Sequence, residues 1–158
     1  MARAFLTVAG CLLMASLSVG QDSEKFALTA EEKAILELTN AARKKANLPP
    51  LAANPTLTKA ARGHSQNQAK QDKLDHELDG KKPSDRVRAA GYRYRAVGEN
   101  VAMGSKNVTV AEIFEGWMES PGHRANILNG KYTQIGIGMG VTSRGRRYYT
   151  QVFASPAK

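Results

Sequence analysis

The three histidines of the sequence, at positions 64, 76 and 123, stand in three different local settings. His76 lies among the acidic residues of DHELDG, residues 75–80, whereas His123 directly follows the Ser-Pro-Gly break of GWMESPGHRANIL, residues 116–128. A histidine titrates near neutral pH, and its neutral imidazole is a common metal ligand. Such groups could hold a cation, exchange protons or bind a ligand, provided that the fold brings distant segments together.

His64 differs from the other two histidines because it falls on the apolar face of a predicted helix, beside Leu57, Ala60 and Ala61. We interpret it as a buried, neutral imidazole that is hydrogen-bonded to the backbone or to Ser65.

Several common catalytic motifs are missing from the sequence. It contains no HExxH or CxxC pattern for a metal, and no GxSxG elbow for a nucleophilic serine. Neither a locally encoded zinc site nor a Ser–His–Asp hydrolase is therefore indicated. A site built on the histidines must be assembled from separate segments, and spacing alone leaves open whether His123 is functional or structural.

The Ser-Pro-Gly break itself positions His123. Pro121 cannot continue the preceding helix, Gly122 permits a tight reversal, and Ser120 can cap a short new turn. This reversal aims His123 sideways, while Ile127 and its neighbours return to the core.

Four helices are predicted to carry these residues. Capping boxes at Thr29 and Thr109 begin the first and the last, since each is followed three residues later by glutamate. Asn54 precedes a proline and begins the second, which ends near residues 70–73. Ser84 caps a short third helix, and Gly91 follows its end in the left-handed conformation.

The C-terminal part changes from helical to alternating periodicity. Residues 135–141 alternate large apolar side chains with glycines, so another part of the chain must lie close to the glycine face. Residues 143–146 have turn composition, and Tyr148–Ala154 is predicted to return as the antiparallel partner, with one of Tyr148 and Tyr149 buried and the other exposed. A further strand is predicted within Tyr92–Gly104. The pattern indicates an α+β fold with helices packed on a hairpin sheet.

The N-terminus resembles a secretory signal peptide, with Arg3 ahead of an apolar run that ends in small residues. We expect a signal peptide over residues 1–20 with cleavage after Gly20, a polar lead over 21–28 and one domain over 29–155. A membrane anchor would need a longer apolar stretch. Acylation of Cys11, which follows a lipobox-like Val-Ala-Gly, is the other alternative. Because Cys11 is the only cysteine, cleavage after Gly20 leaves a protein without disulfides.

The chain carries a formal net charge of +9. This charge is either a solvated surface that keeps the protein soluble or an attraction to an anionic partner, such as an acidic polymer of the cell envelope. Lys81, Lys82 and residues 144–147 would carry such adhesion. No nucleic-acid-binding motif accompanies the charge, so no nucleic acid partner is expected.

Five blocks in order resemble the CAP superfamily of cysteine-rich secretory, antigen 5 and pathogenesis-related proteins, in its bacterial, cysteine-free branch. The blocks are DHELDG (75–80), GEN (98–100), GWMESPGHRANIL (116–128), YTQIGIGMG (132–140) and YYTQVFA (148–154). The resemblance implies an α–β–α sandwich with a central antiparallel sheet between helical layers.

The resemblance also implies a cleft lined by two histidines and two acids, in which the histidines can hold a divalent cation, often zinc. His76 and His123 match the histidines, and Glu99 matches the first acid. The family's second acid falls on Ser120, so Glu119 replaces it one residue early and about 100° away around a helix. We therefore expect weak metal binding. The residues expected to shape the cleft are Ser120, Pro121, Gly122, Arg124, Asn100 and Asn126.

The resemblance favours a secreted, monomeric binding module without catalytic activity, whose ligand is a lipid, a glycan or a protein. One alternative is a metal-assisted hydrolase that uses the same cleft, with Glu99 as the base. The other alternative is adhesion to the cell envelope through the basic surface. If His76 and His123 both lie beside Glu99, the pKa of each imidazole should rise.

Overall fold

The structure, a computed structural model, describes Met1 and residues 26–158. The predicted signal peptide, its cleavage after Gly20 and the alternative acylation of Cys11 fall on residues 2–25, outside the described part. The elements are α1 (Ala30–Lys45), β1 (Ala52–Ala53), α2 (Pro55–Gln71), α3 (Pro83–Ala89), β2 (Tyr94–Gly104), α4 (Val110–Glu119), α5 (Pro121–Ile127), β3 (Gln134–Val141) and β4 (Arg147–Pro156).

A four-stranded sheet in the order β1-β3-β4-β2 lies between two helical layers. One core contains α2 and α3 side chains against β4, and the other contains α1 and α4 side chains against β3 and β4. This arrangement agrees with the expected α+β sandwich. The sheet is mixed and not wholly antiparallel, because the short β1 pairs in parallel with β3.

Local start signals determine where most helices begin. Thr29 and Glu32 exchange both hydrogen bonds of a capping box, at 2.9 and 3.2 Å, and Thr109 begins α4 in the same way. The prediction for α3 was wrong by two residues, since Lys82 occupies the N-cap position and not Ser84. Pro83 accounts for the difference, because proline is favoured at the first helical position.

The glycine face of β3 lies directly against the backbone of α2. A Cβ atom added to Gly136, Gly138 or Gly140 would collide with main-chain atoms of α2. The expected close approach to this face is confirmed. It brings α2, and with it His64, to a short distance from the sheet.

Tyr148 and Tyr149 are both fully buried, which corrects the prediction that one of them is exposed. Alternation predicts an exposed face only when one side of a strand meets solvent. β4 lies between β3 and β2, and helices cover both of its faces. Both tyrosines are therefore enclosed.

A buried arginine ties α1 to the segment that follows α5. Arg43 is 1% exposed and donates hydrogen bonds to the carbonyl oxygens of Pro49, Ile127, Asn129 and Tyr132, at 2.9 to 3.3 Å. The guanidinium thus meets only neutral acceptors. It fixes the end of α5, the helix that carries His123.

Candidate functional site

Glu99 is the centre of the candidate site. It lies on β2, with its side chain only 1% exposed. Its Oε2 accepts a hydrogen bond from Arg86 at 2.6 Å, and its Oε1 lies 3.0 Å from Nδ1 of His76. Because an ionised carboxylate can only accept, Nδ1 of His76 carries the proton. Both oxygens of Glu99 are therefore occupied by basic partners.

Arg86 of α3 also holds the loop that carries His76. Its NH1 group donates to the carbonyl oxygens of His76 and Lys81, at 2.9 and 2.6 Å. Between these residues the chain turns through Asp79 and Gly80, which both have positive φ. One guanidinium therefore joins α3, the loop and β2.

His64 reaches the same carboxylate from α2. It is buried, and its Nε2 donates to the carbonyl oxygen of Asp75 at 2.9 Å while lying 3.7 Å from Oε1 of Glu99. Burial lowers the pKa of His64, which outweighs the attraction of Glu99. The interpretation as a buried imidazole bonded to the backbone is confirmed, but its proximity to Glu99 was not expected.

His123 stands on α5, which packs against β2 through asparagine side chains. The amide of Asn100 donates to the carbonyl oxygen of His123 at 3.0 Å. The amide of Asn126 donates to the carbonyl oxygen of Glu99 at 3.1 Å and to Oδ1 of Asn100 at 2.9 Å. Asn100 and Asn126, both expected to shape the cleft, thus hold the His123 backbone beside the Glu99 strand.

Side chains also donate hydrogen bonds to backbone carbonyl groups along the outer edge of β2. Trp117 donates its indole N–H to the carbonyl oxygen of Val101 at 3.2 Å, two residues beyond the Glu99 carbonyl that Asn126 occupies. Unpaired strand edges tend to pair with other chains. Here Trp117 of α4 and Asn126 of α5 occupy part of that edge.

The two outer histidines differ in pKa. The hydrogen bond that His76 donates to Glu99 raises the pKa of His76, whereas burial, together with the nearby charge of His76, lowers the pKa of His123. The expected rise depended on both histidines lying beside Glu99, and it is found for His76 and not for His123. His123 forms no hydrogen bond with Glu99 in the described residues, so it gains too little attraction to offset burial.

The second acid of the expected cleft does not join this cluster. Glu119 is the last residue of α4, is exposed, and forms no ion pair or hydrogen bond within residues 26–158. Ser120 occupies the N-cap of α5 without a side-chain bond, ahead of Pro121 and Gly122 in its first turn. Arg124 is exposed.

The side chains at the site fit a cation poorly. No three His, Cys, Asp or Glu residues are grouped for a metal in the part of the chain that the structure describes. A zinc site usually has three or four protein ligands. Both oxygens of Glu99 contact basic partners, and Nδ1 of His76 is engaged as well. Nε2 of His76 is the imidazole nitrogen of that residue left without a hydrogen bond among the described residues.

Sequence analysis missed His64 and Arg86 as members of the site. Leu57, Ala60 and Ala61 made His64 look purely structural, and nothing in the sequence singled out Arg86 within the short third helix. Only their convergence on Glu99, which comes 13 or more residues later in the chain, reveals their part.

Solved structures of other bacterial proteins share this fold. An extracellular protein with an SCP domain from Bacillus anthracis is 29% identical, with a TM-score of 0.69 over 82% of this chain and 45% of that one. An outer surface protein of Borrelia burgdorferi is 21% identical and shares the fold, with a TM-score of 0.76 over 84% of this chain and 97% of that one. None of the helices in residues 26–158 is long and apolar enough to cross a membrane.

The sequence relatives are longer proteins. The uncharacterised protein YkwD of Bacillus subtilis is 43% identical over 112 residues, which are 70% of this chain and 43% of YkwD. The chain therefore spans less than half the length of that relative. The family model for the CAP group, the cysteine-rich secretory protein family, matches residues 36–153. With this match over most of its length, the chain belongs to the CAP family.

Proposed function

We propose that this chain is a secreted CAP domain that binds a ligand between the His76 loop and α5 without catalysing a reaction on it. The secretory character of its N-terminal sequence and the extracellular protein among its relatives support secretion. His76 offers the ligand Nε2 of an imidazole whose side chain is 51% exposed. His123 is on α5, where Asn100 of β2 holds its carbonyl oxygen one residue along the strand from Glu99.

The observation that carries this proposal is the burial of Glu99 between two basic partners. A general base needs a lone pair directed at its substrate. The Glu99 carboxylate is buried, and its oxygens already contact Arg86 and His76 at 2.6 and 3.0 Å. This geometry suits an anchor for the His76 loop and opposes the metal-assisted hydrolase in which Glu99 activates water.

The test uses three probes: casein for proteins, chitotetraose for glycans and oleate for lipids. We expect at least one of them to shift the imidazole NMR signals of His76 and His123. Its affinity should fall about tenfold in the double variant His76→Ala, His123→Ala. Failure of all three to bind, or binding that ignores the double variant, would contradict the proposed cleft.

Turnover is measured on fluorescently labelled casein, with and without added zinc. We expect none. Casein hydrolysis that disappears in Glu99→Gln would instead establish the hydrolase. Glu119→Gln is the matched control, because it removes the same charge from an exposed position.

A second function, adhesion to an anionic polymer of the envelope, is favoured by the basic end of the β3–β4 hairpin. Lys70 and Arg144 line a concavity of about 530 Å³ there. Asp72, on the same wall, is paired with Arg146 at 3.1 Å. If charge alone drives adhesion, binding of lipoteichoic acid should collapse at high salt and in Arg144→Glu, yet persist in His123→Ala.

A further inference from the structure

Two consecutive polar residues, Thr150 and Gln151, are completely buried on β4, the strand between β3 and β2. Consecutive residues of a strand point to opposite faces of the sheet. The Thr150 side chain meets α2, where Ser65 and Gln68 contact it. The Gln151 side chain meets Thr39 of α1 on the other face. Burying a polar group is costly unless it is hydrogen-bonded, and apolar partners of the same shape can stabilise a core equally well. Stability alone therefore does not explain two polar residues at this position.

Thr150 is connected to the His76 loop through Gln68. The amide nitrogen of Gln68 donates to Oγ1 of Thr150 at 3.2 Å, and its Oε1 accepts from the backbone N–H of Asp75 at 3.3 Å. His64, one turn before Gln68 on α2, donates to the carbonyl oxygen of the same Asp75 at 2.9 Å. Both main-chain polar groups of the residue before His76 are thus held by α2, and Thr150 fixes one of the two side chains that hold them.

Gln151 is connected to α5 through Asn100. Its Nε2 donates to Oγ1 of Thr39 at 2.9 Å, and its Oε1 accepts from the side-chain amide of Asn100 at 3.1 Å. The same Asn100 amide donates to the carbonyl oxygen of His123 at 3.0 Å. The Thr39 hydroxyl in turn donates to the carbonyl oxygen of Ile35 at 2.7 Å. A continuous chain of hydrogen bonds therefore runs from α1 through β4 and β2 to the backbone of His123.

We propose that Thr150 and Gln151 are positioning residues of the proposed cleft. Thr150 positions the His76 loop, and Gln151 positions the backbone of α5 at His123. Both are 0% exposed, so they act through the segments they hold and not by touching a ligand. Because they are neighbours on one central strand, they tie the two segments to a common support, and the sheet sets the spacing between them. The purpose of this spacing rests on the proposed function.

The first experiment removes the hydroxyl of Thr150. Thr150→Val keeps the shape of the side chain and should shift the imidazole NMR signals of His64 and His76, but not that of His123. Thr150→Ser keeps the hydroxyl and should retain the signals of the parent. Thr58→Val is the matched control, because the Thr58 hydroxyl is also buried but has no hydrogen-bond partner among residues 26–158. Shifts of all three histidines in Thr150→Val, or of none, would overturn the role of Thr150.

The second experiment replaces the amide of Gln151. Gln151→Met puts an apolar group of similar length in its place and should shift the imidazole signal of His123, but not that of His76. Ser155→Ala is the matched control, because Ser155 is equally buried on β4 but its hydroxyl bonds to the carbonyl oxygen of Lys131. Equal shifts of both histidines in Gln151→Met would indicate a general loosening of the sheet and refute the division of roles.

Thr39→Val keeps the proposal testable if Gln151→Met does not fold. It breaks the same chain of hydrogen bonds at α1, while Gln151 keeps its bond to Asn100. The imidazole signal of His123 should still shift. An unmoved signal would overturn the role of Gln151.

All of these signals are recorded on the chain without a ligand, so they test the positioning role separately from the proposed function. A purely structural role would lower the free energy of unfolding in Thr150→Val and Gln151→Met without the selective pattern of shifts, and that outcome would overturn the proposal. Selective shifts in a chain that binds none of casein, chitotetraose and oleate would leave the positioning role standing and overturn the cleft as a ligand site.

Discussion

The two histidines of the proposed cleft, His76 and His123, are held in place by different chemistry. On the side that we call the charged wall, Arg86 and Glu99 fix the His76 loop through an ion pair at 2.6 Å and a hydrogen bond to the imidazole at 3.0 Å. On the side that we call the amide wall, Asn100 and Asn126 fix α5 through neutral hydrogen bonds to its backbone and to β2.

The two walls therefore control different properties of their histidines. The charged wall binds the imidazole of His76 itself, so it sets both the place and the pKa of that group. The amide wall contacts the backbone of His123 and leaves its imidazole to respond to burial. The cleft therefore pairs one histidine that favours its proton with one that favours its neutral form.

The largest effect should come from breaking the charged wall. Arg86→Leu leaves the buried Glu99 carboxylate without its cation, and removing one partner of a buried pair costs about 3–5 kcal/mol of the free energy of unfolding. Urea denaturation measures this loss. In the control, Arg88→Leu on the same helix, the lost arginine is largely exposed, so the cost should stay below about 1 kcal/mol. Equal losses would show that the Arg86 pair is not the anchor.

Breaking the amide wall should lower the free energy of unfolding by less. Asn126→Ala leaves the Glu99 carbonyl and Oδ1 of Asn100 without a donor, at a cost of about 1–3 kcal/mol in thermal or urea unfolding. The loss should be the same at pH 5.5 and pH 8, because no charge is involved. Asn107→Ala is the control, since that side chain is exposed. A strongly pH-dependent loss would contradict the division between the two walls.

The pH dependence of stability should have opposite signs for the two histidines. The folded pKa of His76 is raised, so its contribution is fully present below the unfolded value, about 6.5, and is lost as the pH rises through the folded pKa. The folded pKa of His123 is lowered, so stability is lost as the pH falls through the unfolded value.

Denaturation of His76→Gln and His123→Gln between pH 5 and pH 8.5 tests these signs. Relative to the parent, His76→Gln should lose stability on acidification, by less than about 1 kcal/mol because solvent screens a half-exposed group. His123→Gln should gain relative to the parent over the same range. Parallel curves for the two variants would contradict the comparison.

The sequence predicted those features that depend on neighbours in the chain. Thr29, Thr109 and Asn54 cap their helices as expected, because each cap involves only the next three residues. Gly136 and Gly138 indicated a close approach from their missing side chains alone, although the pattern could not identify α2 as the element that approaches.

Contacts between residues that are far apart in the chain could not be predicted from such local patterns. The bond from Arg86 to Glu99 depends on how α3 crosses β2, and the approach of His64 depends on the glycine face that draws α2 inward. Tyr149 shows the same limit, since its burial follows from helices on both faces of the sheet. Each is a property of the assembled layers and not of a local period.

The smallest effect is expected at the acid that stays outside both walls. Glu119 ends α4 with an exposed side chain, so Glu119→Gln should change the free energy of unfolding by less than about 0.5 kcal/mol and leave the imidazole titration of His76 in place. Glu99→Gln should instead lower the pKa of His76, because it removes the charge that raises it. Titration of the His76 imidazole by NMR in both variants tests these two expectations. A shift of the His76 pKa in Glu119→Gln as large as that in Glu99→Gln would make Glu119 a second acid of the cleft, and the charged wall would then extend to α4.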